Sequence, residues 1–195
     1  ECGGDNTSCE GCADPEALNY NEEAIVDDGS CIYVYNLELH SGANLVSFYA
    51  LPEDNSVSNV LSSLGDNVTG VATESGAYSL MESGTWVGSL TKISPLQGYW
   101  ISTNTDDFLT VFDGVPTDPA IQYNLHSSAN LISFPSSDSA YISDALPDDM
   151  ESSISGIITE GRATINLSPG NWIGSLTQFQ GGKGYWVISD DDISF

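Results

Sequence analysis

Beyond residue 33, apolar side chains recur with the two-residue period of β-strands. Residues 36–39 alternate polar and apolar side chains, and residues 44–48 are rich in β-favouring types. Residues 86–90 and 99–101 have the same character and are bounded by Gly or Pro. The pattern therefore predicts short, mostly antiparallel strands joined by tight turns.

One segment follows the period of a helix instead. Within residues 55–64, apolar side chains recur at i, i+3, i+4 and i+7, at Val57, Val60, Leu61 and Leu64. This stripe predicts a short amphipathic helix with Asn55 or Ser56 as its N-cap. A weaker counterpart around Ile142 and Ala145 is interrupted by Pro147.

The sequence contains a long internal repeat. LHSGANLVSF begins at Leu39 and LHSSANLISF begins at Leu125, an offset of 125 − 39 = 86 residues. WVGSLT and WIGSLT, and likewise GYWI and GYWV, are separated by the same offset. Only two copies of so long a unit indicate tandem domains. We place a Cys-rich module at 1–33, β repeat domains at 34–111 and 120–195, and a stiff linker at 112–119.

The predicted fold class is therefore mainly β. It comprises a small Cys-rich N-terminal module and two homologous β-sandwich or barrel-like domains, each with one short helix.

Charge excludes several kinds of partner. The 195 residues include 3 Lys or Arg and 28 Asp or Glu, giving a formal net charge of −25. Three basic residues cannot neutralise a run of phosphates, so we expect neither nucleic-acid binding nor binding to an anionic membrane. No apolar stretch has the length of a membrane-spanning helix. Because the chain begins at Glu1, without a signal peptide, we expect a mature, processed or excised segment.

All four cysteines lie in the first 31 residues, at Cys2, Cys9, Cys12 and Cys31. An even number in a short Gly- and Asp-rich segment predicts disulfides formed in an oxidising compartment, and we favour Cys12–Cys31 with Cys2–Cys9. The alternative is that Cys9 and Cys12, spaced as C-x-x-C, are zinc ligands or a redox dithiol.

The same segment carries oxygen ligands suited to calcium. Hard cations bind carboxylate, amide and carbonyl oxygens on irregular backbone. The candidate metal ligands are Asp14, Asn19, Asn21, Asp27 and Asp28. Ordinary turn chemistry is the alternative, because Asp and Asn side chains also bond to their own backbone in turns.

A resemblance bears on this segment. Gly11-Cys12-Ala13-Asp14-Pro15, then Asn19-Tyr20-Asn21 and Asp27-Asp28-Gly29-Ser30-Cys31, resemble an element of secreted and cell-surface proteins from marine bacteria. Residues 2–9 resemble the calcium-associated, thrombospondin-type-3-like strings that precede that element. The N-L-I-S-F and G-Y-W-I motifs resemble a β domain of similar proteins. The resemblance implies an extracellular, calcium-stabilised, adhesive or structural protein.

No catalytic motif is present, and we predict that the protein is not an enzyme. The sequence lacks a G-x-S-x-G elbow, an H-E-x-x-H helix, a Walker loop and a dinucleotide fingerprint. His40 and His126 occupy equivalent positions, which favours a turn or packing role. Glu74 and Glu160 are also equivalent, and we interpret them as structural acceptors of backbone N–H bonds.

The four tryptophans allow a second interpretation. Trp86 matches Trp172 and Trp100 matches Trp186, so core packing explains their placement. Exposed Trp faces would instead favour a carbohydrate-binding accessory module. Asn6, Asn67 and Asn166 begin glycosylation sequons.

The function expected is a calcium-stabilised filament or cell-surface stalk subunit. We expect head-to-tail self-association or binding to other surface proteins, with glycans as further candidate ligands. The strand-like ending at residues 193–195 would leave backbone groups free to pair with another subunit.

Overall fold

The computed structural model describes residues 10–195. The N-terminal module is small and is closed by a disulfide between Cys12 and Cys31, both of which are buried. Its two short strands, β1 (Glu10–Gly11) and β2 (Val26–Asp27), pair in parallel. Ala17 packs with the disulfide, and Tyr33 covers this cluster from the first strand of the next domain.

The first domain has two sheets. Its strands are β3 (Tyr33–Leu39), β4 (Gly42–Ser47), β5 (Ala50–Leu51), β6 (Val68–Thr73), β7 (Gly76–Leu80), β8 (Trp86–Gly88), β9 (Gly98–Thr103) and β10 (Asp107–Pro116). The larger sheet is antiparallel with the order β4-β9-β6-β7-β8, and the smaller one has the order β3-β10-β5.

The second domain repeats the larger sheet. Its strands are β11 (Asn124–Leu125), β12 (Ser128–Ile132), β13 (Ser139–Tyr141), β14 (Ile154–Thr159), β15 (Arg162–Ser168), β16 (Asn171–Gly174), β17 (Gln178–Gln180), β18 (Tyr185–Ser189) and β19 (Ile193–Ser194). The order β12-β18-β14-β15-β16 matches that of the first domain strand for strand. Smaller sheets, β11-β19 and β13-β17, complete the domain.

Each domain buries its own core between its large sheet and its smaller sheet or sheets. In the first domain, Leu37 and Leu39 of β3 alternate with exposed residues and meet Tyr99 and Ile101 of β9. In the second, Tyr185 and Val187 of β18 have the corresponding places. The predicted mainly β fold class, with a disulfide-closed module and two homologous sandwich-like domains, is confirmed.

The helices are shorter than predicted. α1 (Val57–Val60) is followed by a 3-10 helix (Ser62–Asn67), and the apolar stripe of residues 57–64 is buried as expected. Ser56 is the N-cap but makes no side-chain capping bond. In the second domain α2 (Ile142–Ala145) ends before Pro147, and a 3-10 helix (Glu151–Ser153) follows. No helix among residues 10–195 is long and apolar enough to cross a membrane.

Two predicted segments pair with other strands of the same chain. β10 runs to Pro116, so residues 112–116 of the expected linker 112–119 belong to a strand. The last two residues of β10 pair with Ala50 and Leu51 of β5. At the last strand, Phe195 exchanges both backbone hydrogen bonds with Tyr123, which pairs one edge of β19 within the chain; pairing of its other edge with another subunit stays a prediction.

Candidate functional site

The oxygen-bearing side chains of the N-terminal module hold their own turns. The Asp14, Asn21, Asp27 and Asp28 side chains each accept a hydrogen bond from the backbone N–H two residues later. Asn19 reaches further: its amide donates to the Ser30 carbonyl at 2.7 Å and accepts from the Ile32 N–H at 2.9 Å. The bonds between residues two apart are the turn chemistry that was the alternative to metal ligation.

Asp14 also ties the module to the first domain. The Tyr33 hydroxyl donates to Asp14 Oδ2 at 2.6 Å, which raises the pKa of Tyr33 to about 12. The same bond, with the Glu16 N–H, lowers the pKa of Asp14.

The module has side-chain oxygens of the kind that calcium binds. Within residues 10–195, no three His, Cys, Asp or Glu side chains are grouped so as to hold a metal ion. Calcium ligation by Asp14, Asn19, Asn21, Asp27 and Asp28 stays a prediction. The C-x-x-C alternative is wrong for Cys12, because its sulfur is bonded to Cys31. Cys2 and Cys9, with their predicted disulfide, lie outside the described residues, as does Asn6.

The two domains meet at a reciprocal junction, which we call the domain junction. His40 Nε2 bonds to Glu160 Oε1, and His126 Nε2 bonds to Glu74 Oε1, the latter at 2.6 Å. The two pairs are related by the 86-residue repeat, so each domain supplies one His and one Glu. This is the pattern of an isologous dimer interface formed within one chain.

The second oxygen of each glutamate bonds to the partner domain's backbone. Glu160 Oε2 accepts from the Leu45 N–H and Glu74 Oε2 accepts from the Leu131 N–H, both at 3.1 Å. The prediction that these glutamates accept backbone N–H bonds is confirmed. Each lies in the two-residue turn of a β-hairpin, β6–β7 or β14–β15, and thereby reaches the edge strand of the other domain.

Local hydrogen bonds fix the histidines. In the first domain, Asn44 Oδ1 accepts from the His40 N–H and its amide donates to the His40 carbonyl, each at 2.8 Å. Asp106 Oδ1 accepts from the Ser41 N–H at 2.7 Å. The second domain repeats these contacts with Asn130 and Asp192. The predicted turn role of both histidines is therefore confirmed, and their bond to the opposite domain is additional.

Both ring nitrogens of each histidine face acceptors. His40 Nδ1 lies 2.8 Å from the Ser41 carbonyl, and the Ser127 carbonyl is equally close to His126 Nδ1. Only the imidazolium form can donate at both nitrogens. The backbone carbonyl and then the glutamate accordingly raise the pKa of both histidines. Burial alone would raise the pKa of Glu160, but the bonds from His40 and Leu45 outweigh it and lower that pKa.

Edge-strand backbone completes the domain junction. The Ser47 N–H donates to the Gly182 carbonyl at 3.0 Å, and the Ser133 N–H donates to the Leu96 carbonyl at 3.2 Å. The backbones approach so closely that only glycine fits at positions 98 and 184. A Cβ on Gly98 would lie 2.9 Å from the Ile132 carbonyl oxygen, and one on Gly184 would lie 2.7 Å from that of Val46. This explains the glycine of both G-Y-W motifs.

The tryptophans divide into two kinds. Trp86 stacks on Tyr78 with ring centroids 5.2 Å apart, and Trp172 donates its N–H to buried Glu151 at 2.9 Å. Both pack against the domain cores, as the core interpretation predicts. Trp100 and Trp186 belong to neither core cluster and are half-buried. They alternate with core residues along β9 and β18, so they lie on the outward sheet faces.

The outward face of the second large sheet is apolar and exposed. Ile165 of β15 and Ile173 of β16 are cross-strand neighbours, each 53% exposed. We define the outward patch as Ile158, Ile165, Leu167, Ile173, Trp186 and Ile188. The corresponding residues of the first domain are mostly smaller or polar: Ala72, Ser79, Met81, Val87, Trp100 and Ser102.

The two described sequons use their amides internally. Asn67 Nδ2 donates to Asp107 Oδ2 at 2.8 Å, and Asn166 Nδ2 donates to the Glu151 carbonyl at 2.7 Å. Glycosylation at either position stays a prediction.

Comparison with known proteins yields no match: no protein-family profile, curated protein or solved structure is similar to the chain. The chain's own two copies therefore serve as references for each other.

We predict that the domain junction stabilises the fold most between about pH 4.5 and 6.5. The raised histidine pKa values mean that their contribution is complete below 6.5 and is lost as pH rises through the folded-state values. The lowered Glu160 pKa means that its contribution is complete above 4.5 and is lost as pH falls. The measurement is urea unfolding of the wild type and of a His40→Gln/His126→Gln variant from pH 4 to 9.

The difference in unfolding free energy between the wild type and this variant reports the two His–Glu pairs, because the many other carboxylates contribute equally to both proteins. Asp106 faces His40, Asp192 faces His126 and Lys183 lies near Glu160, and all three are kept in both proteins. We expect this difference to shrink as pH rises above the raised histidine pKa values. A difference that is constant with pH would contradict the prediction.

Proposed function

We propose that this protein is a non-enzymatic extracellular building block, a subunit of a filament or cell-surface stalk. The reciprocal domain junction carries the proposal. Two domains joined by a flexible hinge would transmit force poorly along a filament. The domain junction favours a single rigid body instead, because it combines paired side chains, edge-strand hydrogen bonds and close backbone approach. The buried Cys12–Cys31 disulfide supports an oxidising, extracellular setting.

The partner that we propose is a second copy of this chain. At a net charge of −25, copies of the chain repel one another except where a face carries no charge. The outward patch exposes large apolar side chains, including Ile165 and Ile173 at 53% each, and isolated apolar faces of this kind mark interaction surfaces. We propose that a second copy buries this patch, in a head-to-tail arrangement that can propagate.

The self-association proposal predicts that a new charge prevents association when it is placed in the second domain's outward patch and has no effect at the equivalent place in the first domain. In millimolar calcium and high salt we expect the wild type to form species larger than a monomer by light scattering. Ile165→Asp places a carboxylate in the outward patch and should abolish them. Ser79→Asp places a carboxylate at the equivalent position of the first domain and should leave them intact. A monodisperse wild-type monomer, or equal effects of the two variants, would refute the proposal.

We further propose that calcium stabilises the N-terminal module. The support is chemical: four carboxylate or amide side chains lie at tight turns inside a loop of 19-residue separation closed by the disulfide. A cation bound there would bridge turns that are now held only by local bonds.

The calcium proposal predicts a specific thermal shift. Ligand at about 100 times its dissociation constant stabilises the native state by about 2.7 kcal/mol, so calcium should raise the unfolding temperature above that in chelator. Magnesium at equal ionic strength controls for screening. Asp27→Asn/Asp28→Asn should remove the shift, and Asp148→Asn/Asp149→Asn, with the same change in charge, should not. Equal melting in calcium and chelator would exclude the site.

A carbohydrate-binding accessory module is the second candidate. It is favoured by the outward placement of Trp100 and Trp186, since flat aromatic faces can stack on sugar rings. This candidate predicts retention on an insoluble polysaccharide or a glycan array, lost in Trp100→Ala/Trp186→Ala. Trp86→Ala is the control, because that ring packs on the core. No retention on any glycan would rule this candidate out.

A further inference from the structure

The first domain exposes aromatic side chains on its small sheet. Phe108 and Phe112 of β10 are 59% and 52% exposed, and Val34 of β3 is 42% exposed. Along β10 the two rings alternate with Leu109 and Val111, which are buried in the first-domain core. Both phenylalanines therefore lie on the outward face of the small sheet. We define the aromatic patch as Val34, Phe108 and Phe112.

A hydrogen-bonded polar pair separates the two rings. Thr110 faces Asn36 across the ladder between β10 and β3, and its hydroxyl donates to Asn36 Oδ1 at 2.8 Å. Covering two polar side chains that already bond to each other carries a smaller desolvation penalty than covering unpaired ones. The centre of the aromatic patch is therefore suited to contact with an apolar surface.

Charged side chains, most of them acidic, border the aromatic patch. Glu38 pairs with Phe108 across the ladder, and both line a hollow together with Asp106, Asp107 and Lys183. A second copy of the chain also has a net charge of −25. To avoid repulsion, it must approach this face with a surface that is free of carboxylates.

The outward face of the second domain's large sheet meets this condition. Strand pairing places two rows of residues across the sheet, Ile188, Gly156, Ile165 and Ile173 in one and Trp186, Ile158 and Ala163 in the next. Neither row contains an ionisable side chain. An acid-bordered aromatic patch can contact these rows without bringing two carboxylates together.

The two surfaces also match in length. Phe108 and Phe112 are four residues apart on one strand, which is about 13 Å. The row from Ile188 to Ile173 crosses three strand spacings, which is about 14 Å. Both rings can therefore contact one aliphatic row at the same time.

Neither surface is repeated in the other domain. By the 86-residue offset, Phe108 corresponds to Ser194 and Ile165 corresponds to Ser79. Phe108 and Ile165 are both more than half exposed, so the two surfaces do not cover each other within the chain. Two different surfaces, one on each domain, are what a heterologous head-to-tail contact requires.

We propose that the aromatic patch of one copy docks on the outward patch of the next copy. This inference rests on the self-association proposed above and identifies the second of the two surfaces that such a contact needs. The rings lie against the aliphatic rows, and the acidic side chains around them remain at the solvated rim of the interface.

Single substitutions test the aromatic patch by light scattering in millimolar calcium and high salt. Phe108→Asp places a carboxylate in the patch and should return the protein to a monomer, as should Phe112→Asp. Tyr141→Asp is the matched control, because Tyr141 is 56% exposed and lies outside both patches. It should leave association unchanged. Unfolding temperatures equal to that of the wild type would show that the variants keep the fold.

Mixing two variants tests whether the two surfaces bind each other. Phe108→Asp keeps the outward patch and Ile165→Asp keeps the aromatic patch, so each variant alone should be a monomer. In a 1:1 mixture each chain offers one intact surface to the other. We expect the mean mass to rise to about twice that of the monomer and no further, because the remaining surfaces are both blocked.

The outcomes separate this inference from the proposal on which it rests. If Ile165→Asp abolishes association and Phe108→Asp does not, the aromatic patch is not the docking face, although self-association stands. A mixture that stays monomeric would likewise overturn the contact between the two patches. A monodisperse wild-type monomer would remove both the self-association and this interface.

Discussion

The domain junction is the constraint on which the rest of the structure depends. Each glutamate uses one oxygen for a histidine and the other for a backbone N–H, both in the opposite domain. Because the histidines are about half exposed, the charge attraction is screened and contributes little by itself. The specificity comes from the combination of these side chains with edge-strand bonds and with glycines that permit close approach.

Duplication explains why the contacts occur twice. A surface that is complementary to its own copy forms two equivalent sets of contacts around a two-fold axis. Joining the copies in one chain makes the association intramolecular, so weak contacts suffice to hold it. The first-domain edge strand β4 and its counterpart β12 are covered in this way, which protects both edges from pairing with other chains.

The two copies have since diverged on surfaces that the junction leaves open. At four of the six positions of the outward patch, the first domain has a smaller or polar residue where the second has an isoleucine. This difference between the copies is the basis on which self-association through the second domain is proposed.

The sequence by itself determined the fold class, the repeat and the local role of most residues considered. Period-two patterning located the strands, the apolar stripe of residues 57–64 located a buried helical segment, and Cys12–Cys31 belonged to the favoured one of three possible disulfide connectivities. These features are local or repeat-based, so they can be recognised along the chain. The partners of His40 and Glu160 could not be recognised, because residues 120 positions apart in sequence meet only through the packing of two domains.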